Sequence, residues 1–61
     1  MYEVHCNYGS SLFRDEEDAL NALWMVGLYH GISIDREQVK RELEGKSYYE
    51  NFPISIVKAE Y

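Results

Sequence analysis

Residues 15–34 read DEEDALNALWMVGLYHGISI, four consecutive acids followed by sixteen positions without Asp, Glu, Lys or Arg. Asp15 is a good N-cap residue, and Glu16, Glu17 and Asp18 then fall in a first helical turn, where the positive end of the helix dipole favours anions. His30-Gly31 supplies the stop, Gly being common just past a helix C-terminus. At about 100° per residue, Ala19, Leu20, Leu23, Val26 and Gly27 share one arc, flanked by Trp24 and His30, and this arc is the predicted core face. Met25, Leu28 and Tyr29, with Asn21 and Ala22, lie on the opposite side, where a surface helix ordinarily carries charge. Either later segments of the same chain, the second helix and Tyr48-Tyr49-Phe52, fold over them, or they form an exposed patch for another protein. Gly27 costs a helix interior roughly 1 kcal/mol relative to Ala, which points to a close backbone approach there.

Outward from this helix, the other elements follow from local pattern. Tyr2, Val4, Cys6 and Tyr8 alternate with Glu3, His5 and Asn7, which predicts a half-buried strand from Tyr2 to Tyr8. Gly9-Ser10-Ser11 breaks it, and Leu12-Phe13 predicts a short, weak second strand. Asp35 caps a second helix, with Gln38 placed for a capping-box-like pair and Ile34 placed to pack on Val39 as a hydrophobic staple. Only Val39 and Leu43 are apolar within it, and Gly45 ends it. Ile54-Ser55-Ile56-Val57, opened by Pro53, predicts a closing strand over 54–60. Its alternation is imperfect, so either a bulge shifts its register or both faces are partly covered. The expected fold class is α+β, a small antiparallel sheet of two to three strands with two helices on one face, in the order β(β)ααβ.

A chain of 61 residues is expected to form a single domain over 1–61, and folding at this size removes only about 60% of the unfolded chain's surface from water. Eleven acids against six bases give a net charge of −5. That balance opposes direct nucleic-acid binding and anionic membrane surfaces. Met1-Tyr2-Glu3-Val4-His5-Cys6 carries neither a basic leader nor an apolar signal segment, and the lone Cys6 suits a reducing compartment, so the expected location is the cytoplasm.

Catalytic residues are not expected. Cys6 with His5 or His30 is the only nucleophile and base the sequence offers, and His5 points to the opposite strand face from Cys6. The two His and one Cys lack zinc-ligand spacing, and no phosphate-loop, dinucleotide or nucleophile-elbow string occurs, so neither metal nor cofactor is expected. Tyr48, Tyr49 and Phe52 beside Lys46 have the composition of a base-stacking platform but no basic groove around them.

What remains is a small, acidic, aromatic-rich chain whose profile is similar to that of phage or mobile-element modulators, which occupy the surface of a host protein. The analogy is one of type, with no motif behind it. The expected function is therefore non-enzymatic protein binding, with Trp24, Met25, Leu28 and Tyr29 as the partner-binding residues and another protein, or a second copy of the chain, as partner. In an alternative reading, Asp15, Glu16, Glu17 and Asp18 imitate nucleic-acid phosphates and block a DNA- or RNA-binding protein. A further alternative is a small intracellular ligand-binding or structural domain.

Overall fold

The computed structural model describes residues 1–59. It is an α+β fold of four strands and two helices: β1 (Tyr2–Cys6), β2 (Gly9–Phe13), α1 (Glu16–Tyr29), α2 (Arg36–Lys46), β3 (Tyr48–Asn51) and β4 (Ile54–Lys58). The strands form one antiparallel sheet in the order β2-β1-β4-β3, with β1 and β4 at its centre. The expected order β(β)ααβ is thus corrected to ββααββ.

Three local expectations change with it. The first strand stops at Cys6, because Asn7-Tyr8 turn the chain into β2, so Tyr8 is a loop residue. β2 is five residues long and includes Gly9-Ser10-Ser11, which the sequence marks as a break. Tyr48–Asn51, with no apolar alternation of its own, becomes a strand by pairing with β4 in the register Tyr49↔Ile56 and Asn51↔Ile54. Phe52-Pro53, joined by a cis peptide, forms the turn between them.

In β4 the register is regular among the described residues. Ile54 and Ile56 face the helices and are buried, while Val57 faces the other side, half-buried between Glu3 and Tyr48. Partial covering of both faces, rather than a bulge, therefore accounts for the imperfect alternation. Tyr61 lies outside the described residues.

One core joins the helices to one face of the sheet. Val4, Ile54, Ile56 and Tyr49 from the sheet meet Ala19, Leu20 and Leu23 of α1 and Val39 and Leu43 of α2. Gly27 is buried too, and Val26 is half-buried, so the predicted arc of α1 is the face that packs.

The helix ends are fixed by specific hydrogen bonds. α1 closes in a Schellman motif: Gly31, at φ +70°, donates to Leu28 O at 3.2 Å and Ile32 donates to Gly27 O at 2.7 Å. At the start of α2, Asp35 Oδ1 accepts from the backbone N–H of Glu37 at 3.0 Å and Gln38 at 3.4 Å. Asp15 has N-cap backbone geometry, but its side chain makes no cap bond. The second helix does not stop at Gly45. It continues to Lys46, and Ser47 takes the left-handed conformation at φ +69°.

Candidate functional site

The geometry of α1 answers the question its sequence raises. Its inward side rests on β1 and β4, and Leu20 is covered on the flank toward α2, which supplies Val39 and Leu43 to the same core. The helices are also bridged at the surface, where Arg36 Nη2 donates to Asn21 Oδ1 at 2.6 Å and Lys40 Nζ lies 3.5 Å from Glu17 Oε1. Both bridges lie toward the N-terminal half of α1. Beyond them, Met25 is 53% exposed, Leu28 58% and Tyr29 80%, and the three line one shallow apolar depression. Trp24, on the α2 side of this group, is 42% exposed.

The Tyr48-Tyr49-Phe52 segment, named with the second helix as one of two alternatives for this side, lies elsewhere. Tyr49 enters the core from β3, Tyr48 stands on the outer face of the sheet, and Phe52 is 85% exposed at the β3–β4 turn. The close approach at Gly27 is likewise internal. A Cβ there would lie 3.0 Å from both Ile32 O and Ile34 Cγ1.

The four acids are not engaged alike. Glu16 accepts the Tyr2 hydroxyl at 3.2 Å, and Glu17 faces Lys40. Burial raises the Tyr2 pKa above its ordinary value, and the Glu16 carboxylate adds to this by opposing the phenolate and accepting the hydroxyl proton. Neither Asp15 nor Asp18 has a side-chain partner among the described residues.

Cys6 and His5 diverge as the strand alternation requires. His5 stands on the outer sheet face, its Nε2 3.0 Å from Glu3 Oε1, while Cys6 faces the helices. His30 stacks on the Tyr8 ring, centroids 5.7 Å apart, and its buried Nε2 has no hydrogen-bond partner among the described residues. Lys46 sits 5.4 Å from the Tyr48 ring centroid, and its hydrogen bond to Glu42 holds its pKa above the ordinary value. Because Tyr49 is buried, the aromatic trio presents no continuous stacking platform.

A second concavity, to which no sequence motif points, lies under the other flank of α1. It is a cleft of about 240 Å³ bounded by Val4 and Cys6 of β1, Gly9, Ser11 and Phe13 of β2, and Ala22 and Val26 of α1. Its signal in the sequence is the run of small residues Gly9-Ser10-Ser11, but only the register shows that Gly9 and Ser11 lie on the helix side of the sheet, opposite Cys6 and Val4.

Compared with known protein families, curated proteins and solved structures, the chain matches none. No helix among the described residues is long and apolar enough to cross a membrane.

Proposed function

We propose that this chain is a non-enzymatic protein-binding module that acts by occupying a partner's surface through the outward side of α1, with Met25, Leu28 and Tyr29 as its central contacts and Trp24 at their margin. The observation that carries this reading is their exposure as one contiguous apolar depression on a helix whose underside rests on the sheet and whose Leu20 flank is covered toward α2. Burying Met25 and Leu28 would contribute on the order of 1.5–3 kcal/mol each before association costs. Aromatic side chains commonly carry a large share of such binding energy, which suits Tyr29 and Trp24 as anchors.

The test is affinity purification from the native cell or host with the parent chain and a Met25→Glu/Leu28→Lys variant, each first shown to be folded by circular dichroism. Both positions are exposed, so the fold is expected to survive and the partner to be lost. A folded variant that retains every partner would refute the reading. Sedimentation of the parent distinguishes a larger partner from a second copy of the chain.

A second reading, imitation of nucleic-acid phosphates, draws on Asp15 and Asp18, which are free of side-chain partners among the described residues, and on the net charge of −5. The engagement of Glu16 by Tyr2 and of Glu17 by Lys40 dilutes it. Binding through charge should weaken steeply with salt, whereas apolar docking should change little.

A further inference from the structure

The sheet is filled unequally on its two sides. Val4, at its centre, has Ile56 beside it on β4 and Ser11 beside it on β2; Cys6 has Gly9 beside it on β2. On the β4 side the space between sheet and helices is closed by Ile54 and Ile56. On the β2 side Ser11 and Gly9 leave it open, and the cleft under Ala22 and Val26 is the result. At about 240 Å³ it falls short of the roughly 300–1,000 Å³ of ordinary small-molecule pockets and is nearer the scale of one large side chain.

β2 is also an unprotected edge. Among the described residues it has β1 on one side and no strand on the other, and Gly9-Ser10-Ser11-Leu12-Phe13 carries no charge and no proline, the usual devices against further pairing. A strand added there would lie about 4.8 Å beyond β2, and its residue directly opposite Ser11 would project to the helix side, over the mouth of the cleft. Following the helix outward from Ala22 and Val26, Tyr29 and Met25 come next around its surface. The open edge, the cleft and the apolar depression thus border one another.

We propose that the partner supplies an extended segment that adds to the free edge of β2 and inserts one large apolar side chain into the cleft between Ser11 and Val26. The proposal rests on the binding role given above to this side of α1, and names the form of the partner. A second copy of the chain fits poorly. Its own β2 has Gly9, Ser11 and Phe13 on the helix side, and Phe13, the only large one, already packs against the core. Two chains of net charge −5 also repel. Charge complementarity instead favours a segment with basic flanks, because the chain carries a net charge of −5 and, beyond the Phe13 end of β2, Asp15 and Asp18 outnumber Arg14.

The probes are synthetic nonapeptides, Lys-Thr-Val-Thr-Xaa-Thr-Val-Thr-Lys, with Phe, Leu, Ala or Asp at the centre, and a Phe peptide with Glu at both ends. Binding is followed by amide chemical shifts of Gly9–Phe13 and by the alkylation rate of Cys6, whose side chain lines the cleft. The expected result is that the Phe and Leu peptides bind at β2 and slow Cys6 alkylation, with at least tenfold weaker binding for Ala, Asp and the Glu-ended peptide at low salt. Ser11→Leu, which fills the cleft from within, should lower affinity at least tenfold. Should that variant fail to fold, Ala22→Leu fills the cleft from the helix side, and the comparison of central residues on the parent chain stands without either. Absence of binding at millimolar peptide, equal binding of Phe and Asp, or a dimer held together through Gly9–Phe13 would each overturn the proposal. Loss of the cellular partner on Met25→Glu/Leu28→Lys, with no peptide bound by the parent, would leave the binding role in place and remove strand addition alone.

Discussion

Ile34 leaves Gly27 no room for a side chain: a Cβ on Gly27 would stand 3.0 Å from Ile34 Cγ1. The same Cβ would stand 3.0 Å from Ile32 O, whose residue is held in place by its own 2.7 Å hydrogen bond to Gly27 O. The turn between the helices is therefore pinned against the glycine from both directions.

Gly27→Ala sets two effects against each other. The helix interior gains about 1 kcal/mol in propensity, while overpacking costs about 1–3 kcal/mol where neighbours cannot move. Because one neighbour is backbone fixed by a hydrogen bond, the cost is expected to win, by up to about 2 kcal/mol. Urea denaturation measures it, and a raised midpoint with unchanged slope would show that the turn yields.

The other end of the helical pair should respond in the opposite direction. Gly45 lies inside α2, where an added methyl group would meet nothing within 4 Å, and Ser47 holds a left-handed conformation that costs a non-glycine residue about 1 kcal/mol. Gly45→Ala and Ser47→Gly are each expected to raise stability by about 0.5–1 kcal/mol. A loss on Gly45→Ala would mean that α2 ends before Lys46.

Leu23 is fully buried between sheet and helix, and Leu23→Ala is expected to cost about 2–5 kcal/mol. That is a large share of the ~5–15 kcal/mol typical of whole domains. Thermal unfolding should show a much lowered or absent transition, and a melt like the parent's would contradict the packing of α1.

Burial of Tyr2, together with the Glu16 carboxylate beside it, contributes to the alkaline limb of stability. The folded-state pKa of Tyr2 is raised relative to the unfolded chain, where it is about 10. The stabilising contribution is therefore complete below that pH and is lost as pH rises through the folded-state value. Tyr2→Phe should lower stability by about 1 kcal/mol near neutrality and flatten its decline at alkaline pH. Parallel alkaline limbs in parent and variant would count against this assignment.

The legible parts of the fold are those whose signals are local. Asp35 with its two backbone donors, the Gly31 stop, and the arc from Ala19 to Gly27 can all be placed without knowing what they touch. β3 cannot, because Tyr48-Tyr49-Glu50-Asn51 has one inward-facing apolar residue and owes its extended form to Ile54 and Ile56 across the ladder. Gly45 reads as a helix end because glycine usually is one, yet the left-handed position falls two residues later on Ser47. The exposed side of α1 is legible as an absence of charge. The cleft is not, since it is made of atoms missing from Gly9, Ser11 and Ala22, and their alignment depends on the pairing of β1 with β2.

The place of β4 between β1 and β3 bears on how the chain is made. Val4 and Tyr49 are both paired to Ile56, so the centre of the sheet unites stretches more distant in sequence than either hairpin. While a ribosome still holds Ile54–Lys58, β1–β2 and α1 have no central strand to close their core. Productive folding must therefore wait for β4 to emerge and then proceed through a long-range closure, a step slow by comparison with helix or hairpin formation.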